Sequence, residues 1–393
     1  MRSTLRRTWA EVSLDAIEHN YKALRARIGE NVKFLGVVKA DAYGHGAVHV
    51  ACTLQELGAD YLAVSSLDEA MELRANGIVM PILILGHTPT EQVPNLIANN
   101  ITQTVTCLAK AHEYNAAAAE FGAKLRVHIK VDTGMSRLGV LCAGRHFETG
   151  VSGIVDCCGM PYLDVEGMFT HFAVADEADE ADVDYTKKQF ELFKNTVAAV
   201  EERIGRRIPL RHCANSGAVL SWRDKGAALD LVRPGLLTYG VYPDSERGGL
   251  SLTPVMALKS RVSAITHHKK GDSISYGRLW TAERDCTLAV LPVGYADGLQ
   301  RCLSGKLEVL LRGKRVKQVG RICMDMCMID VTDLPQVKSG DEVEIFGEHV
   351  LCADLAERCD TIPYELLCAV SKRVPRIYRL NGVPVDKNLH PLG

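Results

Sequence analysis

Residues 34–47 read FLGVVKADAYGHGA, an apolar run that ends in Lys39 and is followed by a glycine-containing turn. A short apolar run bounded by turn residues indicates a strand of a buried parallel sheet. No GxGxxG motif follows it, so the sequence does not indicate a dinucleotide-binding fold. Runs of the same kind recur along the first two thirds of the chain, and their number decides the fold class.

Eight such runs alternate with longer helical patterns such as Asp68–Asn76 and Tyr185–Ile204. Repeated βα units of this number favour a closed barrel over an open doubly wound sheet. We therefore predict an α/β fold with a (β/α)8 TIM-type barrel over residues 14–243. Its strands are predicted at Phe34–Lys39, Tyr61–Val64, Ile82–Leu85, Thr102–Thr106, Leu125–Val131, Val165–Thr170, Pro209–His212 and Leu229–Val232.

The character of the sequence changes after Tyr242, where prolines and glycines mark a boundary. Beyond it, short runs separated by turn residues predict a mostly antiparallel β domain over residues 244–393. A helix around Ile362–Ser371 is expected to end the packed structure and to leave a polar tail. The strands of this domain are predicted at Val255–Ile265, Thr287–Leu291, Lys306–Leu311, Met326–Val331 and Glu342–Phe346.

Composition excludes several classes of protein. The 393 residues include 46 basic and 48 acidic side chains, a net charge of −2, so neither nucleic acid nor a membrane surface is an expected partner. No apolar stretch is long enough to span a bilayer. The 13 cysteines form no repeated CxxC pairs, so no metal site is predicted. The N-terminus lacks the apolar core of a signal peptide, and we expect a cytoplasmic protein.

Barrel enzymes place their sites at the C-terminal ends of the strands. Lys39 ends the first run, where burial lowers the pKa of an amine and favours a Schiff-base nucleophile. A lysine there can equally extend to solvent, so the residue alone does not decide. Lys130 and Arg137 follow the fifth run and His171 the sixth; an arginine at this rim suits a carboxylate, although a solvated loop arginine is as plausible.

The loops after the last two strands read HCANSGA and VRPGLLTYG. Barrel enzymes commonly bind a phosphate here through backbone N–H groups. Ser216, Arg233, Gly235 and Leu236 are the candidate residues. Ser216 could instead cap a helix, and Gly235 could instead be a turn residue. Only the occurrence of these residues together in two adjacent loops indicates a phosphate site.

These segments are part of an ordered series of motifs that runs from about Trp9 to Tyr378. The chain resembles the bacterial alanine racemases, which share a fold with eukaryotic-type ornithine decarboxylases. The resemblance implies a barrel that holds pyridoxal 5'-phosphate, a C-terminal β domain joined by the N-terminal strand (residues 1–13), and a homodimer with shared active sites. The motifs are VVKADAYGHGA, KVDTGMSRLG, GMFTHFA, ANSGA, VRPG, SYGR, PVGYADG, GRICMDM and PYE.

The resemblance implies two bases. Lys39 matches the lysine that binds the cofactor as an aldimine and acts on one face of the substrate, and Tyr276 of the partner subunit matches the base on the other face. Arg233 matches the residue that bonds the pyridine nitrogen. An arginine does not give up a proton there, which makes the ring a weaker electron sink. His171 and His212 match the polar partners of Arg233 and Tyr276.

Further roles are implied for residues that bind the two anionic groups. The groups that match the family's phosphate-binding residues are the hydroxyls of Tyr43, Ser216 and Tyr364 and the N–H groups of Ser216, Gly235 and Leu236. Arg137 and the N–H of Met324 match the groups that bind the substrate carboxylate, and Met324 comes from the partner chain. Lys130 matches a lysine that is often carbamylated in the family, which would orient Arg137.

Substrate choice is expected to depend on the entrance to the site. Tyr276, Tyr295 and Tyr364 match the tyrosines that narrow it, with Arg301 and Asp325 nearby. Their bulk favours alanine as substrate and hence a supply of D-alanine for peptidoglycan. The alternatives are a serine or broad-specificity racemase of the same family, an amino-acid decarboxylase on this fold, and a barrel-only pyridoxal-phosphate carrier. The absence of a glycine triplet and the presence of a second domain disfavour the last two.

Overall fold

The computed structural model describes residues 7–243 and 248–385. The predicted domain boundary at residue 244 and residues 1–6 of the predicted N-terminal strand therefore lie outside the described residues. The first part of the chain contains strands β1 (Thr8–Ser13), β2 (Lys33–Val37), β3 (Tyr61–Val64), β4 (Ile82–Ile84), β5 (Ile101–Val105), β6 (Leu125–Asp132), β7 (Val140–Leu141), β8 (Leu163–Phe169), β9 (Leu210–His212) and β10 (Leu231–Val232).

Helices separate these strands. They are α1 (Leu14–Ile28), α2 (Lys39–Tyr43), α3 (Ala47–Glu56), α4 (Leu67–Ala75), α5 (Val93–Ala98), α6 (Leu108–Phe121), α7 (Phe147–Gly159), α8 (Glu180–Ile204), α9 (Ser216–Ser221) and α10 (Gly235–Thr238). Local sequence sets the ends of several of them. Asp179 caps the start of α8 by accepting a hydrogen bond from the Ala181 N–H, and left-handed Gly205 ends it.

Eight parallel strands form a nearly closed barrel in the order β10-β2-β3-β4-β5-β6-β8-β9. The short β7 pairs with β6 beside this path. Hydrogen bonds from the Asp230 N–H to the Arg211 carbonyl and from the Arg233 N–H to the Ala214 carbonyl link the last two strands. The predicted (β/α)8 barrel is confirmed.

The second part of the chain is mostly antiparallel, as predicted. Its strands are β11 (Met256–Arg261), β12 (Ala264–His268), β13 (Ser273–Ile274), β14 (Trp280–Thr281), β15 (Cys286–Leu291), β16 (Glu308–Leu311), β17 (Lys314–Val319), β18 (Cys327–Asp330), β19 (Glu342–Phe346), β20 (Arg376–Leu380) and β21 (Val383–Pro384), and its helices are α11 (Cys352–Arg358) and α12 (Pro363–Ala369). Ten strands form one sheet, in which β1 lies between β11 and β20.

Three sequence-based expectations for these elements were wrong. Lys39 does not end β2 but begins the short helix α2. The predicted strand Val255–Ile265 divides into β11 and β12 because the chain turns at residues 262–263. The helix near residue 362 does not end the packed structure, since β20 follows it and pairs in parallel with β1. The end of the expected polar tail, residues 386–393, lies outside the described residues.

Two large hydrophobic cores, with a smaller cluster around Ile274 and Leu288, support the two parts of the chain. One fills the barrel and its helices, the other lies under the ten-stranded sheet, and Tyr364 packs against both. Within the described ranges, no helix combines the length and apolar character that crossing a bilayer requires. The barrel and the second domain contact each other through the packing of Tyr364.

Packing around β2 gives a test of how tightly the barrel is built. A Cβ on Gly36 would lie 2.5 Å from Leu54 Cδ1, so we expect Gly36→Ala to lower the free energy of unfolding by about 1–3 kcal/mol. Leu54→Ala alone should lower it by about 2–5 kcal/mol. Because the new methyl group occupies space that the leucine leaves, the double variant should lose less than the sum. Urea unfolding measures all three.

The control is Gly159→Ala, since no atom lies within 4 Å of a Cβ at Gly159. This variant should unfold at the wild-type urea concentration or slightly above it, because alanine favours the helix more than glycine does. Strictly additive losses at Gly36 and Leu54 would contradict the proposed steric conflict.

Candidate active site

Lys39 opens a turn that runs against local backbone preference. Ala40, Asp41, Ala42 and Tyr43 have φ of 52°, 54°, 53° and 52°, the left-handed region that costs non-glycine residues about 1–2 kcal/mol each. Contacts from outside the turn hold it. Glu69 Oε1 accepts from the Ala40 N–H at 2.7 Å, and Asp41 Oδ1 accepts from the Ala47 N–H at 2.8 Å. Such strain persists where surrounding structure enforces it, as at functional sites.

The second domain also holds this turn. Arg376 Nε donates to the Gly44 carbonyl at 3.0 Å. A Cβ on Gly44 would lie 2.4 Å from the Leu367 carbonyl oxygen, and its φ is +79°, so both space and conformation require glycine here. The position of Lys39 thus depends on both domains.

Basic side chains gather at the barrel rim around Lys39. Burial, followed by the charge of Arg137, lowers the pKa of Lys39. The same causes, with Arg233 and Lys39 contributing further, lower the pKa of Lys130 to about 8. Burial and these four cations hold the pKa of His171 well below its ordinary value. A cluster of this kind attracts an anionic ligand, and its amines are partly activated as bases.

Arg233 is buried, with 4% of its surface exposed, as is Lys130. Its Nη1 donates to His212 Nδ1 at 2.7 Å, and its Nη2 bonds the carbonyls of Thr170 and Cys213 at 2.9 and 3.1 Å and His171 Nδ1 at 3.3 Å. Burial lowers the pKa of Arg233 to about 10, so it remains a cation at neutral pH. Four bonds use fewer than the five N–H groups of a guanidinium, which leaves a donor for a ligand.

Hydroxyl and amide groups meet beside this arginine. The Leu236 N–H donates to Ser216 Oγ at 3.0 Å, and Tyr364 hydrogen-bonds Ser216. The ring of Tyr43 packs edge-on against Tyr364 with centroids 5.4 Å apart. A Cβ on Gly235 would approach the Tyr43 hydroxyl to 2.9 Å, so glycine keeps that space open. Burial raises the pKa of Tyr43 and takes that of Tyr364 to about 12, so both phenols are donors at neutral pH.

The remaining predicted site residues lie in the second domain, on segments that contact one another. The Tyr295 N–H donates to the Cys323 carbonyl at 3.0 Å, and Ser275 Oγ donates to the Arg321 carbonyl at 3.0 Å. These bonds bring together side chains that face outward: Tyr276 is 72% exposed, Met324 53% and Tyr295 43%.

The other two predicted second-domain residues flank this face. Arg301 is exposed, and Asp325 forms an ion pair with Arg373 at 2.7 Å. Five sequence-predicted residues thus lie on a surface, whereas the barrel residues, except the exposed Arg137, are buried or half-buried.

Three contributors were not anticipated from the sequence. Glu69 holds the turn after Lys39, and Asp132 Oδ1 accepts from the N–H groups of Gly134 and Ser136, which fixes the loop that carries Arg137. Phe169 stacks on the His212 ring at 4.7 Å. Their sequence signals, an acid in a first helical turn and a strand-end aromatic, are too common to have singled them out. In the part of the chain that is described, no three metal-binding side chains cluster.

Comparison with known proteins agrees with this arrangement. Residues 12–243 match the family "Alanine racemase, N-terminal domain" and residues 255–378 match "Alanine racemase, C-terminal domain". The chain belongs to the alanine racemase family. The resemblance inferred from the sequence motifs is therefore confirmed.

Individual alanine racemases match over nearly their whole length. "Alanine racemase 2" of Caldanaerobacter subterraneus subsp. tengcongensis is 44% identical over 387 residues, 97% of each chain. The structure of alanine racemase from Clostridium difficile 630 is 40% identical with a TM-score of 0.91 and covers 98% of both chains. That of the Bacillus anthracis enzyme with bound L-Ala-P is 37% identical with a TM-score of 0.88 over 98% of both chains.

The lowered pKa of Lys130 predicts a measurable effect on stability. Holding its ammonium in the pocket costs about 3 kcal/mol below pH 8, given a pKa of about 8 against 10.5 for an ordinary lysine. Because the unfolded chain binds the proton more tightly, this cost disappears as pH rises from about 8 through 10.5. We expect Lys130→Met to stabilise the cofactor-free protein at pH 7, and the gain to shrink toward pH 10.

Urea unfolding in CO2-free buffer measures this difference, since carbon dioxide could modify a neutral amine. Lys124→Met removes an exposed lysine just before the same strand and should leave the pH dependence unchanged. A gain that is the same at pH 7 and pH 10 would contradict the assignment.

Proposed function

We propose that this protein interconverts L-alanine and D-alanine with pyridoxal 5'-phosphate as cofactor. The observation that carries the proposal is the cationic pocket at the barrel rim, where Lys39, Lys130, Arg137, His171 and Arg233 interact with one another. It suits a ligand with both a phosphate and a carboxylate. The family and the relatives named above support the same reaction.

The pocket fits the cofactor. A phosphate would be held by the phenols of Tyr43 and Tyr364, by Ser216, and by the N–H groups of Gly235 and Leu236, beside the space that Gly235 leaves open. Arg233 retains an N–H for an acceptor such as the ring nitrogen. Lys39 supplies the amine to which the cofactor's aldehyde attaches. When bound, the cofactor supplies an electron sink that makes the Cα–H bond of an amino acid acidic.

The protein's own groups then act on the substrate at Cα. Arg137 binds the carboxylate and orients the Cα–H bond. The Lys39 amine, whose pKa is lowered by burial and by Arg137, moves a proton on one face of Cα. Arg233 would donate to the ring nitrogen of the bound cofactor without protonating it, which would limit charge withdrawal into the ring and disfavour side reactions such as transamination.

Racemisation needs a second proton carrier on the opposite face of Cα. We assign this role to Tyr276 of the partner subunit in a homodimer. Tyr276 and Met324 lie on an exposed face of the second domain, at 72% and 53% exposure, so both are accessible to a second chain. A second copy of the chain that covers this face would bring both residues to the barrel pocket, where the Met324 N–H would bind the carboxylate.

Substrate size is set by tyrosines. Tyr364 is half-buried and packs against both cores, which restricts its ring and leaves little room beside a small side chain. We therefore expect alanine to be preferred over serine by the modest margin of a steric fit, about 1–3 kcal/mol. We propose a cytoplasmic enzyme that supplies D-alanine for peptidoglycan, in keeping with the family.

The assignment is tested by circular dichroism of L-alanine incubated with the purified protein and pyridoxal 5'-phosphate. We expect the signal to decay to zero, and L-serine to react more slowly. Tyr276→Phe should slow both directions by about 10²–10⁴-fold, because each direction uses both bases, while cofactor absorbance is retained. Release of CO2 without racemisation would indicate a decarboxylase, and no turnover of either amino acid would indicate a carrier.

The shared site is tested with mixed dimers. Lys39→Ala and Tyr276→Ala chains with different tags are co-expressed, and dimers that carry both tags are isolated. One of the two sites in each mixed dimer then has both bases, so we expect about half of wild-type activity from two inactive chains. Pairing Lys39→Ala with the Lys39→Ala/Tyr276→Ala chain restores no complete site and is the control. Inactive mixed dimers would count against a shared site.

A further inference from the structure

A line of polar side chains continues from Arg233 into the barrel interior. His212 Nε2 lies 2.9 Å from His128 Nδ1, and His128 Nε2 lies 3.2 Å from Glu166 Oε2. Tyr61 donates its hydroxyl proton to the same Glu166 oxygen at 2.7 Å. Both histidines are fully buried. Because a barrel core is normally filled by apolar layers, a hydrogen-bonded chain through it needs an explanation.

The backbone is shaped to admit this chain. Strands β6 and β8 pair with a shift in register: Val127 lies opposite Val165, but His128 lies opposite Gly167. Glu166 is therefore an additional residue in β8, without a partner in β6. A bulge of this kind re-aims a side chain. A Cβ on the next residue, Gly167, would lie 2.6 Å from His128 Nδ1, so only glycine leaves room for the ring.

The two ends of the chain dictate the direction of every bond within it. A guanidinium has no acceptor, so Nδ1 of His212 must accept from Arg233 and its Nε2 must carry the proton. His212 Nε2–H then donates to His128 Nδ1, and His128 Nε2–H donates to Glu166. Burial and the charge of Arg233 keep the pKa of His212 low, in agreement with a neutral ring. Hydrogen bonds from His128 and Tyr61 outweigh burial and lower the pKa of Glu166, in agreement with a carboxylate.

Loss of the acceptor at Glu166 would remove the constraint at the far end. The His128 Nε2–H would be left without a partner in a buried position, which favours the tautomer with the proton on Nδ1. That proton would face the Nε2–H of His212, a conflict that is relieved when His212 moves its proton to Nδ1, against Nη1 of Arg233. Two donors would then oppose each other at the 2.7 Å contact that orients the arginine.

We propose that Glu166 and His128 are positioning residues that fix the tautomer of His212 from inside the barrel and thereby hold Arg233 in place for its ligand. Neither residue reaches the pocket. The proposal rests on the proposed function only for the identity of that ligand, the ring nitrogen of the cofactor.

Three substitutions of Glu166 separate acceptor, charge and reach. Gln keeps an acceptor without charge, and the Arg233 end of the chain selects the amide orientation that presents oxygen. Met keeps the length and removes the acceptor. Asp keeps the charge but retracts it by one methylene from a bond that is already 3.2 Å long. We expect Glu166→Gln to behave as wild type and Glu166→Met and Glu166→Asp to be impaired.

The first readout is the tautomeric state of the rings, from ¹⁵N NMR of the cofactor-free protein labelled at its 13 histidines. Wild type and Glu166→Gln should show His128 and His212 protonated at Nε2 alone, whereas Glu166→Met and Glu166→Asp should show mixed tautomers. This measurement does not require racemase activity, so it tests the positioning role even if the proposed function fails.

The second readout is steady-state racemisation. Glu166→Met and Glu166→Asp should lower kcat about tenfold, within the range by which residues remote from a site modulate it, and leave KM near wild type because Arg137 is untouched. Tyr61→Phe, which removes the other donor to Glu166 but not its bond to His128, is the control and should preserve both readouts. If the Glu166→Met variant does not fold, the same two measurements on Glu166→Asp test the proposal.

Single wild-type tautomers in Glu166→Met or Glu166→Asp would overturn the proposal. So would equal impairment of Glu166→Gln and Glu166→Met, because charge rather than an acceptor would then be the requirement.

Discussion

The buried guanidinium of Arg233 is the constraint on which the barrel end of this protein depends. An unpaired buried cation is very costly, and removal of one partner from a buried pair destabilises by several kcal/mol. Here the cation is offset by two imidazoles and two carbonyl oxygens that come from the ends of β8 and β9. Those strands must therefore end at one level beside β10. The same bonds that neutralise the cost of burial also orient the remaining N–H groups.

A second constraint links the two domains. Four consecutive left-handed residues after Lys39 would not persist in isolation. Glu69 bonds the turn from the barrel side, and Arg376 and the Leu367 carbonyl enclose Gly44 from the other. The second domain is thus part of the apparatus that places the lysine. The packing of Tyr364 against the cores of both parts belongs to the same contact between them.

The two sets of site residues differ in charge and in exposure to solvent. The barrel contributes several cations close together, of which Lys130 and Arg233 are buried, and their charges lower the pKa of Lys130 and of His171. The second domain contributes exposed side chains that gain little by remaining in water. In a homodimer, the exposed face of each chain would cover the cationic barrel rim of the other chain. In that assembly the reactive groups on the two faces of the substrate come from different chains.

The sequence by itself determined the barrel, the antiparallel second domain and the family, because buried strands and motif spacing are local signals. It also placed Lys39, Arg233, Ser216 and Gly235 in the segments that follow barrel strands, although Lys39 begins α2 rather than ending β2. What only the tertiary structure decided are features that depend on distant residues. The left-handed turn opposes the propensity of alanine, and β20, which carries two arginines, forms only beside β1. The Glu166 bulge exists only through its register with β6, about 40 residues away along the chain.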